Sequence, residues 1–509
     1  MNKKLFISLF SFLLIVFASA QENYMLGGLL PDSMSFSPLV TEKKIESKTA
    51  VNTSVIITEG IAPVGNQASL GSCTCWALGY YYKTFQEWQE RGWDITDSSH
   101  QFSPSFLYNQ LNGGANYGSF VDDVLLMIEK YGVCTMSDMP YTTNYTVYPD
   151  RSDYLNSMNY RSQTSHYTLL GDLTQLKQHI SNGEIAVFHI YVYDNFYSIS
   201  SSQQFYAVSL QSGTNHGGHV VTVIGFDDSI ITPDGYGAFR CVNSWGTTWG
   251  DKGYWWITYQ AIKYTTYVPV QRFWWSEDRV DYHPTIYAEI DVTHSKRDCI
   301  DLALFSNNEA DPQNAVQLNS WYMDGYRTGY PSTFLDYAFP SNSILYDISD
   351  FVLNRPDSLF FFMEDTLSDS QSGYLNSFTA IRLTGEEYAA TDTPIEIFDF
   401  DYNVSGLFLD SLNSSGSHEE SLIYPSIPVK TSKTGLFYNY RNKILRIFPA
   451  SGKCPKISIL DIAGRVIIEN AMVRGNSNGF YLNLNSLLKP GNYFIKSSDN
   501  LILKISIVR

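Results

Sequence analysis

The chain has 509 residues, of which 44% are hydrophobic and 17% charged, and its formal net charge is −17. This composition can bury large cores, excludes a wholly disordered chain and fits about two to four domains. The acidic balance argues against nucleic-acid binding, because a negative surface repels the phosphate backbone. Six scattered cysteines exclude a dense disulfide framework and lack the paired spacing of zinc sites, so neither a metal nor another cofactor is predicted.

The N-terminal residues have the pattern of a secretory signal. Two lysines precede an apolar run from Leu5 to Phe17, and Ala18-Ser19-Ala20 forms a small-residue cleavage site. The apolar run is too short to span a bilayer comfortably. We predict a signal peptide over residues 1–20 and no membrane span after its removal. Residues 21–50 are polar and without periodicity, and we interpret them as an N-terminal extension or short pro-segment.

Residues 51–275 alternate helical and strand patterns, which predicts an α+β domain. Apolar residues recur every three or four positions between Ser72 and Gly92, which predicts one helix. The same periodicity predicts a second helix from Phe120 to Tyr131. Four later apolar runs are predicted strands: Ile185–Val192, His219–Phe226, Ala238–Asn243 and Gly253–Thr258.

Beyond residue 275 the pattern becomes all-β. Apolar residues alternate from Ile286 to Val292, and Leu359–Met363 is a continuous apolar run typical of a buried strand. We therefore predict a β-sandwich or jelly roll over residues 276–430. It includes a Ser/Asn-rich linker over 411–420. Short strands and turns then predict a small all-β C-terminal domain over 431–509.

Three separate segments carry residues suited to nucleophilic catalysis. Cys73 lies at the start of the first predicted helix, where the helix dipole and unpaired N–H groups favour a thiolate. Gln67 lies six residues upstream, and its amide can donate to an oxyanion. His219 enters a predicted strand, while Asn243 can orient an imidazole under the cover of Trp245. A Cys, a His and an Asn in this order suit a thiolate–imidazolium nucleophile.

These segments resemble the active-site segments of the papain-like C1 peptidases. The resemblance rests on residues 67–73, on Gly217-Gly218-His219 and on Asn243-Ser244-Trp245-Gly246, with 146 residues between Cys73 and His219. It implies a papain-like catalytic domain over 51–275 that hydrolyses peptide bonds in extracellular proteins through a thioester. The implied catalytic residues are a nucleophile, a base, an orienting amide and an oxyanion donor: Cys73, His219, Asn243 and Gln67.

The nucleophile and the base each have a rival in the sequence. Thr74 follows Cys73 where the common family pattern has Trp, a departure that resembles a bacterial branch of the family. Cys75 is a rival nucleophile, but Gln67 would then lie eight residues upstream. His216 is a rival base, although Gly225-Phe226 follows His219 at the expected offset.

The resemblance also implies substrate contacts and an electrostatic state. The substrate-binding residues are predicted to be Gly118, Gly218 and Trp245, with Gly113-Gly114 competing for the place of Gly118. An imidazolium beside Cys73 would lower the pKa of its thiol from about 8.5. The long inhibitory propeptide of many family members is missing.

The C-terminal unit resembles the type A sorting domain of the type IX secretion system. The resemblance rests on the turn at Gly464-Arg465 and on Pro490-Gly491-Asn492-Tyr493-Phe494-Ile495, although Asn439-Tyr440 replaces the usual Asn-Pro. It implies a secreted or cell-surface protein that crosses the periplasm and outer membrane of a Bacteroidota-type bacterium. The implied partners are the type IX machinery and protein or peptide substrates.

Two other functions remain open at this point. In the first, the peptidase fold is a relic and the β-sandwich of a non-catalytic secreted protein binds glycans or surfaces. In the second, the same Cys-His chemistry transfers acyl groups to amines instead of water. The filled catalytic positions argue against the first alternative.

Overall fold

The computed structural model describes most of residues 26–397 and the C-terminal strands. The described ranges are 26–29, 37, 39–112, 114–297, 300–306, 338–352, 358–365, 372–391 and 393–397, and then the strands after residue 401 given below with Lys456 and Arg465. The predicted signal peptide, the linker over 411–420, Cys299 and Cys454 lie outside these residues. Within the described ranges we find no helix with the length and apolar character that a membrane crossing requires.

A continuous helical run carries the predicted nucleophile at its first residue. It consists of α1 (Cys73–Cys75), a π-helical segment (Trp76–Lys83) and α2 (Thr84–Arg91). Gly92 ends it with φ 65° in the left-handed region, where a glycine has no steric penalty. The run agrees with the helix predicted over 72–92, but a 3.6-residue periodicity did not reveal its wider π-helical turns. We call the run Cys73–Arg91 the central helix.

Shorter helices follow the central helix along the chain. The helix predicted from Phe120 to Tyr131 is confirmed as Val121–Tyr131, and Gly132, which has φ 72°, follows its last residue. The α-helices are α3 (Pro104–Leu111), α4 (Val121–Tyr131), α5 (Arg151–Ser157), α6 (Thr174–Ser181), α7 (Asp194–Tyr197), α8 (Tyr259–Lys263) and α9 (Ser349–Val352), and 3₁₀ turns lie at Ser98–His100 and Val208–Leu210.

Nine strands of the described chain form the largest sheet. The first eleven strands are β1 (Gly28–Leu29), β2 (Thr41–Glu42), β3 (Ser54–Ile56), β4 (Ser119–Phe120), β5 (Ser162–Leu169), β6 (Ala186–Tyr193), β7 (Phe205–Tyr206), β8 (Asn215–Thr232), β9 (Gly235–Val242), β10 (Tyr254–Thr258) and β11 (Arg272–Asp278). The order in the large sheet is β2-β5-β11-β6-β8-β9-β10-β7, with β3 paired to β8. The separate pair β1–β4 is parallel. The four strands predicted between residues 185 and 258 are therefore β6, β8, β9 and β10.

The central helix packs on this sheet next to β8. The hydroxyl of Thr222 on β8 donates to the carbonyl of Ala77 at 3.2 Å, and both residues are buried. All eight residues of the π-helical segment are buried, because the sheet covers one side of the central helix and α3 and α4 contact another. This packing brings the first turn of the helix to the beginning of β8, where His219 lies.

Two further sheets follow residues 51–275, the predicted catalytic domain, which we call the catalytic part. One contains β12 (Ile286–Thr293), β14 (Ile344–Asp347), β16 (Gly373–Arg382), β17 (Glu387–Ala389) and β18 (Ile395–Ile397), and the other contains β13 (Ile300–Ser306), β15 (Ser358–Asp365) and β19 (Tyr402–Phe408). The rings of Phe361 and Phe378, one from each sheet, lie 5.4 Å apart. The strands predicted at 286–292 and 359–363 are confirmed, and the sandwich over 276–430 stays a prediction.

The C-terminal region also consists of strands where the structure describes it. They are β20 (Gly435–Asn439), β21 (Ile444–Phe448), β22 (Ile457–Asp461), β23 (Val466–Ile468), β24 (Arg474–Asn476), β25 (Gly479–Asn483), β26 (Gly491–Ser497) and β27 (Ile502–Ile507). They form two sheets with the orders β20-β21-β25-β24 and β23-β22-β26-β27. The all-β character agrees with the prediction, and a sorting domain stays a prediction.

A buried interface joins β14 to the catalytic part. Arg161 donates to Asp347 over 2.6 Å, and the two side chains are 8% and 0% exposed. Tyr282 also donates to the Asp347 carboxylate. The rings of Tyr131 and Tyr346 lie 5.0 Å apart. The second β region is therefore anchored on the catalytic part by a desolvated ion pair and by aromatic packing.

Candidate active site

The thiol of Cys73 lies between the central helix and the strand that carries the predicted base. Cys73 is fully buried, and its sulfur receives hydrogen bonds from the backbone of Val220 and of Gly27. Val220 directly follows His219 on β8. The fold therefore brings two residues that are 146 positions apart in the sequence to adjoining places.

The imidazole of His219 is oriented by Asn243. His219 Nε2 lies 2.7 Å from Asn243 Oδ1, which also accepts from the backbone N–H of Ser244 at 2.9 Å. Because this oxygen can only accept, Nε2 carries the proton and Nδ1 has the lone pair. His219 Nδ1 is buried and has no hydrogen-bond partner in the described part of the chain. The ring is thus in the tautomer that a base needs to take a proton at Nδ1.

Aromatic rings surround the hydrogen bond between His219 and Asn243. Trp245 is fully buried, and its ring centre lies 5.1 Å from that of His219. Tyr197 stacks on Trp245 at 5.2 Å, and Phe196 meets the same indole edge-on. This packing excludes water from the bond, as the sequence predicts for Trp245. The predicted substrate contact of Trp245 stays a prediction.

The side chain of Gln67 is held at both ends of its amide. Gln67 Oε1 accepts from the Ser244 hydroxyl at 2.7 Å, and Nε2 donates to the Leu70 carbonyl at 2.8 Å. Tyr141 donates to the backbone carbonyl of Gln67 at 2.8 Å and pairs with the Ser72 hydroxyl at 2.7 Å. These bonds fix the amide beside the start of the central helix, where the first N–H groups have no partner within the helix.

Residues 26–29 lie across the cleft next to Cys73. Gly28 and Leu29 pair in parallel with Ser119 and Phe120, and the Ser119 N–H donates to the Gly27 carbonyl at 2.9 Å. From the opposite wall, His189 Nε2 donates to the Gly28 carbonyl at 2.7 Å. Residues 26–29 of the N-terminal extension therefore occupy the space beside the thiol.

Glycines on both walls permit this close approach. A Cβ atom on Gly118, which has φ 110°, would overlap the backbone of Gly27. A Cβ atom on Gly218 would overlap the carbonyl oxygen of Gly28. A Cβ atom on Gly27 itself would overlap the backbone of Gly71. The structure thus places two of the predicted substrate contacts, Gly118 and Gly218, against the main chain that fills the cleft.

Burial disfavours the charged forms of both the Cys73 thiol and the His219 imidazole in this state. It raises the pKa of the Cys73 thiol, although hydrogen bonds from Val220 and Gly27 act in the opposite direction. Burial also lowers the pKa of His219, to about 4, and this effect exceeds the opposite effect of the hydrogen bond to Asn243. The predicted lowering of the Cys73 pKa is therefore wrong for the covered cleft, because removal of water disfavours both charged forms.

The rival residues lie in different surroundings. Cys75 is buried with its sulfur 3.6 Å from the Ser119 hydroxyl, and burial raises the pKa of its thiol strongly. His216 is exposed and pairs with the carboxylate of Asp194, and its ring meets Tyr197 edge-on. Gly113 lies outside the described residues. The contact with Asn243 belongs to His219, and neither rival shares it.

Three site residues were missed by the sequence analysis. Tyr141 and Ser244 were missed because their roles depend on hydrogen bonds to Gln67 that span 74 and 177 positions. His189 lies within an apolar strand run, where a histidine is usually a core residue. Only the pairing of β6 with β8, which sets His189 opposite Val220, reveals its place beside the cleft.

The comparisons with known proteins agree on this part of the chain. Residues 52–270 match the family described as "Papain family cysteine protease". An "uncharacterized peptidase C1-like protein" of Acanthamoeba polyphaga mimivirus is 27% identical over 213 residues, which cover 39% of this chain and 64% of the relative. The chain thus spans less than two thirds of the length of that relative.

Solved structures of cysteine proteases are similar to about half of the chain. Xylellain from Xylella fastidiosa is 22% identical with a TM-score of 0.42, covering 50% of this chain and 96% of its own. A digestive procathepsin L from the larval midgut of Tenebrio molitor is 20% identical with a TM-score of 0.38, covering 48% and 75%. On the family match, residues 52–270 of this chain are a papain-like cysteine peptidase domain of the hydrolase class.

Proposed function

We propose that the chain is a secreted peptidase that hydrolyses peptide bonds of extracellular proteins through Cys73, His219, Asn243 and Gln67. The observation that carries the proposal is the 2.7 Å hydrogen bond between His219 and Asn243. This bond uses Nε2 of the imidazole, and Nδ1 has no hydrogen-bond partner in the described residues. The next residue on the strand, Val220, contacts the Cys73 thiol through its backbone. The family match of residues 52–270 supports the reaction class.

The reaction begins with a proton transfer and a nucleophilic attack. His219 Nδ1 takes the proton of Cys73 Sγ, and the thiolate attacks the carbonyl carbon of the peptide. Donors at the Gln67 amide and the N–H of Cys73 hold the negative oxygen, and one such donor is worth about 3–4 kcal/mol in related chemistry. The protonated His219 gives its proton to the leaving amine, which leaves a thioester on Cys73.

A water molecule then completes the reaction. His219 takes a proton from the water, whose oxygen attacks the thioester carbonyl. Collapse of the second tetrahedral intermediate releases the carboxylic acid and returns the proton to the sulfur. Throughout the cycle Asn243 keeps the imidazole oriented, while the surrounding aromatic rings keep water away from that hydrogen bond.

The proposal includes latency through the N-terminal extension. Residues 26–29 occupy the cleft, and their backbone hydrogen-bonds to Ser119, to His189 and to the thiol of Cys73. A peptide cannot reach Cys73 while this segment is seated. We therefore assign residues 21–50 the role of a short pro-segment whose displacement opens the site.

Export is proposed from the sequence pattern. The charged start, the apolar run and the Ala18-Ser19-Ala20 site support a signal peptide over 1–20. The all-β C-terminal unit over 431–509 fits delivery by type IX secretion in a Bacteroidota-type bacterium. N-terminal sequencing and cell fractionation test this point: a mature chain that begins at Gln21 outside the cell supports it, and an intracellular chain that retains Met1 contradicts it.

Hydrolysis of an unfolded protein such as casein tests the activity. The full chain with Gly27→Val has an opened cleft, and we expect it to release peptides; adding Cys73→Ala should abolish release, and adding Cys75→Ser should not. An added amine acceptor distinguishes hydrolysis from acyl transfer, because transfer would put the amine on the products. If the folded Gly27→Val chain releases nothing, the non-catalytic binding protein becomes the better interpretation.

A further inference from the structure

His189 places a hydrogen-bond donor on the cleft wall next to the catalytic base. It lies on β6 opposite Val220, and its neighbour Ile190 lies opposite His219 on β8. Its side chain is fully buried, and Nε2 donates to the Gly28 carbonyl at 2.7 Å. None of the four catalytic residues needs this contact, so it requires another explanation.

The chemistry of the contact fixes the state of the ring. A carbonyl oxygen only accepts, so Nε2 of His189 must carry a proton. Burial lowers the pKa of His189 to about 4, so the ring is a neutral donor near pH 7. Its Nδ1 is buried and has no hydrogen-bond partner within the described chain. The ring therefore makes one directed hydrogen bond, and that bond points at main chain in the cleft.

The opposite wall binds the preceding carbonyl. The Ser119 N–H holds the Gly27 oxygen at 2.9 Å, so two successive carbonyls of the cleft segment are bound from opposite sides. Gly218 lies between His189 and the segment, and a Cβ atom there would overlap both the Gly28 oxygen and the imidazole. Such recognition of main-chain atoms does not depend on the side chains of the bound peptide.

We infer that His189 is a substrate-binding residue, whose Nε2–H holds a main-chain carbonyl of the peptide that replaces residues 26–29. The inference rests on the proposed peptidase function. It adds a residue that donates a hydrogen bond to the substrate backbone from the wall opposite Ser119. It also accounts for a histidine within an otherwise apolar strand, since a donor is needed at that one position.

Kinetics in the full chain with Gly27→Val test this role. In that background His189→Leu removes the donor and His189→Gln keeps one. His216→Gln is the control, because it changes a histidine on β8 that pairs with Asp194. Loss of one neutral hydrogen bond should raise KM for fluorogenic peptide amides roughly tenfold in His189→Leu, with kcat changed by less than about twofold. Glutamine should restore most of the affinity, and the His216 variant should match the background.

Two further measurements separate binding from a structural effect. Iodoacetamide alkylates Cys73 without any peptide being bound, so the rate of alkylation should be the same in the Gly27→Val chain with and without His189→Leu. A second set of peptides has one carbonyl oxygen replaced by sulfur, at a different position in each peptide. At one position the replacement should weaken binding to the Gly27→Val chain, whereas the same replacement should not weaken binding to the chain that also carries His189→Leu. The weaker binding to the Gly27→Val chain can be measured without any substitution of His189.

The outcomes are distinct. An unchanged KM in His189→Leu, equal losses in the Leu and Gln variants, or alkylation that slows together with hydrolysis would each overturn the inference while leaving the peptidase function intact. Absence of any hydrolysis in the folded Gly27→Val background would overturn the proposed function, and this inference with it.

Discussion

Gly27→Val should open the cleft without disturbing the catalytic fold. The Cβ atom of valine would overlap the backbone of Gly71, so residues 26–29 could not remain seated beside Cys73. The large sheet and the central helix do not include these residues. The substitution therefore acts on the covered state alone.

The size of the effect follows from the contacts that hold the segment. Two hydrogen bonds bind its carbonyls, from Ser119 at 2.9 Å and from His189 at 2.7 Å. At about 1 kcal/mol each, they favour the covered state by about 2 kcal/mol, which corresponds to roughly a 30-fold equilibrium. If alkylation proceeds only from the open state, removing the segment should speed it by roughly the same factor.

Alkylation of Cys73 by iodoacetamide at neutral pH measures this directly. The modified residue is located by mass spectrometry, and circular dichroism verifies the fold of each variant. Leu26→Val is the control, because it changes a side chain of the same segment without adding an atom next to Gly71. Equal alkylation rates in the wild type and in Gly27→Val would refute the account of latency.

Three other predictions concern catalysis and stability. Asn243→Ala should lower kcat in the opened chain by roughly tenfold to a hundredfold, because the His219 ring loses the 2.7 Å bond that orients it, and steady-state kinetics will show this. Burial lowers the pKa of His179 to about 4, so below about pH 6.5 the unfolded chain binds a proton that the folded chain does not. The free energy of unfolding therefore falls as the pH drops through this window. Urea unfolding at pH 7 and at pH 5 measures this fall, which should be about 2 kcal/mol smaller in His179→Gln than in the wild type. Arg161→Leu leaves the buried carboxylate of Asp347 without its cation and should lower the free energy of unfolding by about 3 kcal/mol, measured by the same method.

Local patterns were sufficient to predict most elements of the catalytic part. The helix over 72–92 has apolar residues at helical spacing, and the strands near 185, 219, 238 and 253 are short apolar runs typical of buried strands. The π-helical segment was not predictable, because it depends on how the central helix packs and not on its periodicity. Strand β11 extends to Asp278, three residues beyond the predicted end of the catalytic domain, and its place in the sheet depends on pairing with β5 and β6.

The candidate site was predictable where chemistry is tied to short motifs. Cys73, His219, Asn243 and Gln67 lie in such motifs, and the structure brings them to one end of the central helix. The position of His189 was not predictable, because it depends on strand register. The covering of the cleft by residues 26–29 was also not predictable, since a Leu-Gly-Gly-Leu sequence has no recognisable pattern of its own. Because residues 26–29 cover the cleft, the pKa of the Cys73 thiol is raised and not lowered as expected.

Active-site labelling tests most directly whether Cys73 is the nucleophile and His219 its base. The full chain with Gly27→Val is incubated with an epoxide inhibitor of papain-like enzymes and digested, and the adduct is located by mass spectrometry. The account predicts a stoichiometric adduct on Cys73 that disappears when His219→Ala is added. An adduct on Cys75, or no adduct in protein shown to be folded, would contradict it.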